Sequence, residues 1–125
     1  MPTYYKLEIG KTVFFAEKAT TIPEWALGLS GRESMKNSLG LLFEYGIEIP
    51  RSFWMKGMNF PLDIVLFDRH QKVVGVLKDL PTTTLLSPPI YRSGVPIMYA
   101  LEVNVGTTTD IQLGDQLKIG RVIAK

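Results

Sequence analysis

The stretch from Phe53 to Asp68, Phe-Trp-Met-Lys-Gly-Met-Asn-Phe-Pro-Leu-Asp-Ile-Val-Leu-Phe-Asp, constrains the fold more than any other part of the chain. It holds one of the two tryptophans and three of the six phenylalanines, so it must be buried to a large extent. Asp63 to Phe67 is a nearly continuous apolar run, the pattern of a strand covered on both faces. Ser52 to Lys56 reads as another strand, with Phe53 and Met55 on one face and Trp54 and Lys56 on the other. Gly57 to Pro61 interrupts the pattern. The stretch therefore reads as two central strands joined by a corner. Lys56, Asn59 and Asp63 are polar where a plain core segment would be apolar.

The flanking sequence supplies more short strands. Tyr4 to Ile9 and Thr12 to Ala19 flank a Gly10-Lys11 turn, and only one of Phe14 and Phe15 can face the core. Thr21 and Glu24 have the spacing of a capping box, and Pro23 suits a first helical turn. They predict a helix over Ile22 to Leu29, ended by Gly31, although Trp25, Leu27 and Leu29 do not form a clean helical stripe. A turn is expected through Ser34 to Asn37. Leu41 to Tyr45 reads as a strand and Gly46 to Pro50 as a connection. Val73 to Leu77 pairs back on the buried run as a hairpin. Leu80 to Pro96, with four prolines, is a long irregular segment of the kind that often carries function. Met98 to Val105 alternates Tyr99, Leu101, Val103 and Val105 against Ala100, Glu102 and Asn104. Thr107 to Ile111 suits a helical turn, and Gln116 to Ile123 a final strand.

Many short strands without a βαβ rhythm argue against a doubly wound parallel sheet. The expected fold is mainly β: one domain over residues 1–125, a closed or half-open barrel of seven or eight short strands with one or two short helices.

Several chemistries drop out. The chain has no cysteine, which removes disulfides, thiolate metal sites and cysteine nucleophiles. His70 is the one histidine and lies in a charged loop, so no metal site or other cofactor is expected. Gly-x-Ser-x-Gly and the nucleotide-binding glycine motifs are absent, and no catalytic residue is assigned. The net charge is +2 and the 14 basic residues are scattered, which argues against a nucleic-acid partner. No run is long enough to span a bilayer, and the first residues lack a signal-peptide core. As given, the chain reads as cytoplasmic; a leader removed beforehand would leave the same sequence.

Five residues stand out as ligand-binding candidates. Trp54 and Lys56 share one strand face, and Asp63 opens the next strand, close enough in sequence to return toward Lys56. Together they would offer an aromatic platform with a cationic head. The competing reading, weighted about two to one, has Asp63 capping the corner through backbone N–H groups. Lys56 is then its ion partner or a surface residue. Glu102 interrupts an apolar strand; buried, it would need a partner such as Arg32 or Lys56. The commoner wet face of an antiparallel strand would leave it unremarkable. Arg32 follows the helix, either as a solvated helix-end charge or over a pocket mouth.

The motif Phe53-Trp54-Met55-Lys56, followed by Pro61-Leu62-Asp63-Ile64, resembles the signature of the uncharacterised family called domain of unknown function 192. Ala26 to Arg32, Leu41-Leu42-Phe43, Ala100 to Gly106 and Gly114-Asp115 extend the resemblance over residues 13 to 120. Trp25 and Leu41 depart from the family's usual residues, outside the central motif. The resemblance implies a small β-rich, barrel-like fold and transfers no catalytic residue. Three functions remain open: a non-enzymatic module for a small polar or anionic ligand, a hydrolase or lyase using Asp63 or Glu102 with Lys56, and a structural or interaction protein without a small-molecule site.

Overall fold

The computed structural model describes residues 2–124. The elements are β1 (Thr3–Ile9), β2 (Thr12–Ala19), α1 (Ile22–Leu27), β3 (Leu39–Ile49), β4 (Ser52–Phe53), β5 (Leu62–Phe67), β6 (Val73–Leu80), β7 (Tyr91–Arg92), β8 (Ile97–Asn104) and β9 (Leu117–Ala124). Seven strands form one sheet in the order β6-β5-β8-β3-β2-β1-β9, and β4 pairs with β7 separately. The main sheet curls until its edges meet at one end. There the Val73 N–H donates to the Asp115 carbonyl at 2.9 Å, and the Leu117 N–H to the Gln71 carbonyl at 2.7 Å. Beyond this point no ladder joins β6 to β9 among the described residues, so the barrel is half open.

The three central strands are covered on both sides. β5 is buried at every position. Leu42, Val65, Phe67, Leu101 and Val103 point into the barrel, where they meet Leu7, Ile9 and Phe14 of the opposite wall. Leu41, Phe43, Ile64, Leu66 and Ala100 point outward, yet Leu29, Phe53, Met55 and Met58 bury them again. The chain thus has a barrel core and a second core outside it. Over residues 41–43, 62–67 and 99–103 the side chains alternate between the two sides. Gly40 permits close pairing here, since a Cβ at this position would come within 3.0 Å of the Glu102 carbonyl and of Leu101 and Val103.

Several local expectations hold. β2 spans Thr12–Ala19 as read, Phe14 is buried while Phe15 is only partly so, and the Thr21–Glu24 capping box is formed. Others need correction. The helix stops at Leu27, because Gly28 at φ 53° closes it three residues before Gly31. Gly46 to Pro50 is largely strand: β3 runs to Ile49 through an irregularity after Glu44 that accommodates Gly46 at φ 81°. Residues 107–111 form turns and loop rather than a helical turn, and the turn expected over residues 34–37 falls at residues 37–38. β2 and β3 form one parallel pair across the α1 crossover.

The main correction concerns Ser52 to Lys56. It is not a central strand. Only Ser52 and Phe53 pair, and they do so with Arg92 and Tyr91 in the small side sheet. The segment instead forms a strap across the outer face of the central strands. Phe53 and Met55 are buried beneath it, and Trp54 and Lys56 face out, so the alternation survives without the ladder. Packing of every second side chain holds the strap down, and no further strand pairing is required.

Asp63 fastens the barrel. It is 2% exposed. Its Oδ2 accepts from the Thr108 hydroxyl at 2.7 Å and its Oδ1 from the Asp79 N–H at 2.9 Å. Asp79 sits at φ 58°, in the left-handed region that a non-glycine residue rarely adopts, at an irregularity in the β5–β6 ladder. The carboxylate therefore ties β5 to this irregularity and to the β8–β9 loop. Asp63→Asn and Thr108→Val should each lower unfolding stability by about 2 kcal/mol. Their effects should be less than additive in a double-mutant cycle read by urea denaturation. Fully additive losses would show that the two residues do not act as a unit.

Candidate functional site

A pocket of about 370 Å³ lies between the outer face of the central strands, α1 and the strap. Its floor comes from β3 and β8. Phe43 and Tyr45 share the outward face of β3, and Glu102 projects from β8 between its register partners Leu41 and Ile64. One wall is α1, which has no fully buried residue of its own. Its Trp25 leans on Tyr45 with ring centroids 5.1 Å apart, and the indole N–H donates to the Ala19 carbonyl at 2.9 Å. The other wall is the strap, through Arg51, Phe53 and Trp54. Ile22, Leu27, Trp54 and Ile90 are exposed apolar residues at the pocket.

The proline-rich segment holds the strap in place. The Arg51 N–H donates to the Ser93 hydroxyl at 3.0 Å, and the Ser93 N–H returns a bond to the Arg51 carbonyl at 2.8 Å. On the far side, the Ser30 hydroxyl donates to the Lys56 carbonyl, the Gly31 N–H to the Gly57 carbonyl, and the Asn59 amide to the Arg32 carbonyl. The corner of the Phe-Trp-Met-Lys motif is thereby stapled to the loop after α1.

Two ionisable side chains meet this pocket in unusual states. The Arg51 guanidinium lies 4.1 Å from the centre of the Tyr45 ring and 5.6 Å from that of Trp25, a cation on two aromatic faces. Its Nε is buried without a hydrogen-bond partner, and among the described residues Arg51 has no ion-pair partner. Glu102 is only 8% exposed and likewise has no side-chain hydrogen bond or ion pair among the described residues. Burial pushes its carboxyl up to about 8, so at neutral pH it holds its proton. Tyr45 is pushed upward too, first by burial and then by the charge of Glu102, against the pull of Arg51. The pocket therefore carries one cation, one neutral acid and a set of aromatic faces.

The five residues singled out in the sequence do not converge. Glu102 and Trp54 line the pocket. Glu102 is covered rather than wet, and neither Arg32 nor Lys56 reaches it as an ion partner. The Lys56 Nζ lies 5.2 Å from the centre of the Trp54 ring, at the outer side of the strap, and forms no ion pair with Asp63. Asp63 pairs in register with Val103, the neighbour of Glu102, so the two carboxylates face opposite sides of the sheet. Arg32 forms a two-point ion pair with Glu17, at 2.7 and 3.3 Å. Arg51 and Tyr45 were missed. They lie at the end of an apolar strand and just after Pro50, where nothing local distinguishes them. The imperfect apolar stripe of α1 was the one available signal, because Trp25 serves a pocket wall rather than a helix-packing face. Among the described residues, no group of three His, Asp or Glu side chains is placed to hold a metal.

The unpartnered acid makes stability depend on pH. The folded state keeps the Glu102 proton up to about 8, whereas an unfolded carboxyl of this type releases it near 4.5. The folded state thus binds the extra proton, and this contribution to stability is lost as pH rises from about 5 through about 8. Glu102→Gln should remove most of that slope and raise stability at pH 9 by up to ~4 kcal/mol. Chemical denaturation across this pH range checks both, and an unchanged slope in the variant would assign it to another group.

Comparison with known proteins places this fold in a wider group. A crystal structure from Sinorhizobium meliloti 1021, provisionally described as a transcription regulator, is similar with a TM-score of 0.82 and 25% sequence identity. The match covers 95% of this chain and 94% of that one. A protein of unknown function from Novosphingobium aromaticivorans is similar at a TM-score of 0.80 and 24% identity, over 94% of this chain and 84% of the other. Among curated proteins none matches. The model of the family DUF192, described as an uncharacterised group, matches residues 5–119. With that match over most of its length, the chain belongs to the DUF192 family, for which no activity is established.

Proposed function

We propose that the chain acts as one domain, a non-enzymatic binding module that takes a small planar or apolar anion into the pocket beneath α1. The observation that carries this reading is Arg51: a guanidinium held on aromatic faces, with a buried Nε that has no partner. A cation so placed is strongly complementary to a carboxylate, which accepts two guanidinium N–H bonds at once. Pocket volume and aromatic lining suit a ligand of one ring or a comparable apolar body. With Glu102 protonated, the pocket's net charge at neutral pH is positive. Trp54 lines the pocket, and Lys56 adds positive charge outside it. In this reading Asp63 and Arg32 are fastening residues, engaged with Thr108 and Glu17 respectively.

A catalytic role keeps one supporting observation, the near-neutral titration of Glu102 inside a pocket. It would have to proceed without Asp63, which faces the other side of the sheet. The provisional description of the Sinorhizobium protein as a transcription regulator suits a ligand-responsive module. The helix here has six residues, too short to serve as a groove-reading head, so the reading is of a sensor pocket. The compartment in this reading is the cytoplasm, which a cysteine-free chain suits.

Isothermal titration with benzoate and 3-phenylpropionate, against the neutral amide 3-phenylpropanamide, tests the proposal. The carboxylates should bind and the amide should bind more weakly. Arg51→Gln should weaken carboxylate binding about 10- to 100-fold, the worth of a charged hydrogen bond. Lys56→Ala should change it far less. Absence of carboxylate binding, or equal binding by Arg51→Gln with its fold intact by circular dichroism, would overturn the reading.

A further inference from the structure

We infer that the ligand of this pocket is an amino-carboxylate, with its carboxylate on Arg51 and its protonated amine on Glu102. The inference rests on the anion-binding reading above and extends it to the second charged group of the same pocket.

Glu102 is nine-tenths buried, lines the pocket and lacks a partner among the described residues. Its position is rigid, since β8 is paired on both sides, to Leu41 of β3 and Ile64 of β5. A buried carboxyl without a partner is costly, and the chain offers it none. Arg32, the basic residue that could have served it, is engaged with Glu17. The ionisable side chains lining the pocket are Glu102, Tyr45 and Arg51, so no lysine or second arginine competes for the carboxyl.

Access to Glu102 is also kept open. Gly28 closes α1 at φ 53° directly above it, and a Cβ there would sit 3.6 Å from Glu102 Oε1 and 3.5 Å from the Phe43 ring. A side chain at this position would be strained and would occupy the space beside Oε1. An ammonium reaching Oε1 from the pocket meets a carboxyl oxygen, a group that favours a cation. The two ends of such a ligand thus find opposite charges, and its apolar body lies against Trp25 and Tyr45.

Binding carries a proton signature. In the unliganded pocket the carboxyl holds its proton at neutral pH. A bound ammonium favours the charged carboxylate, so the Glu102 proton passes to buffer while the amine keeps its own. Amines without a carboxylate lack the Arg51 contact, and carboxylates without an amine leave Glu102 protonated.

The test compares four probes by titration calorimetry at pH 7: 3-phenylpropionate, phenethylamine, phenylalanine and 4-(aminomethyl)benzoate. At least one of the two amino-carboxylates should bind tenfold or more tighter than 3-phenylpropionate. Its binding heat should vary with the ionisation enthalpy of the buffer, reporting release of close to one proton. Glu102→Gln, with its fold checked by thermal melting, should lose both the tenfold advantage and the proton release while keeping 3-phenylpropionate binding. Equal affinity of 3-phenylpropionate and both amino-carboxylates would overturn the inference and leave the anion site standing. So would proton release that persists in Glu102→Gln. Failure of all four probes would overturn the anion site itself, and the inference with it.

Discussion

The structure depends on the burial of β5, β8 and the first half of β3 on both faces. Their inward side chains fill the barrel, and their outward ones fill a second core under the strap. Water is excluded from both sides, so a polar side chain on these strands must either find a partner or face a cavity. The buried polar side chains show both solutions. Asp63 and Thr108 bind each other, and Asp63 also takes the Asp79 N–H. Glu102 takes no such partner and faces the pocket. The same burial that stabilises the sheet therefore isolates one acid and raises its affinity for a proton.

The family motif divides between these two tasks. Phe53 and Met55 seal the outer core, and the corner from Lys56 to Asn59 is stapled by backbone and side-chain bonds to the loop after α1. Asp63 locks the barrel from the other side of the sheet. Phe53, Trp54, Met58 and Leu62 of this stretch line the pocket, and none of them is charged. The charged and aromatic groups that give the pocket its character lie elsewhere, at Trp25, Tyr45, Arg51 and Glu102. The proline-rich segment that reads as a functional loop contributes mainly by holding the strap: Ser93 fixes the Arg51 backbone, and Tyr91 and Arg92 pair with β4.

The half-open barrel and the outer core also separate the closing contacts from the candidate pocket in space. The closing contacts around Val73 and Asp115 belong to the meeting edges of the sheet. The pocket belongs to a cover that contains a six-residue helix without a buried residue and a strap with two ladder positions. Such a cover rests on side-chain packing rather than on an extended ladder, so it can open locally while the barrel stays intact.

Much of the fold was legible because its signals are local. The doubly buried β5 appears as an unbroken apolar run, β1 and β2 as strands around a Gly-Lys turn, and α1 as a capping box at the right spacing. Short strands without helical alternation suffice for a β-rich, barrel-like class. Of the residues that line the candidate pocket, the sequence singled out Trp54, which shares a strand face with Lys56, and Glu102, which interrupts an apolar strand. The rest follows from register. The pairing of Asp63 with Val103 puts Asp63 and Glu102 on opposite faces, and a shift of one residue would have put them on the same one. No local pattern encodes that choice. Nor does any local pattern show that Arg51 will lie across Tyr45, since the strap is placed by contacts with Ser93 and Ser30, distant in sequence. Local periodicity determined the elements; long-range pairing decided which polar residues were satisfied and which one was left facing the pocket.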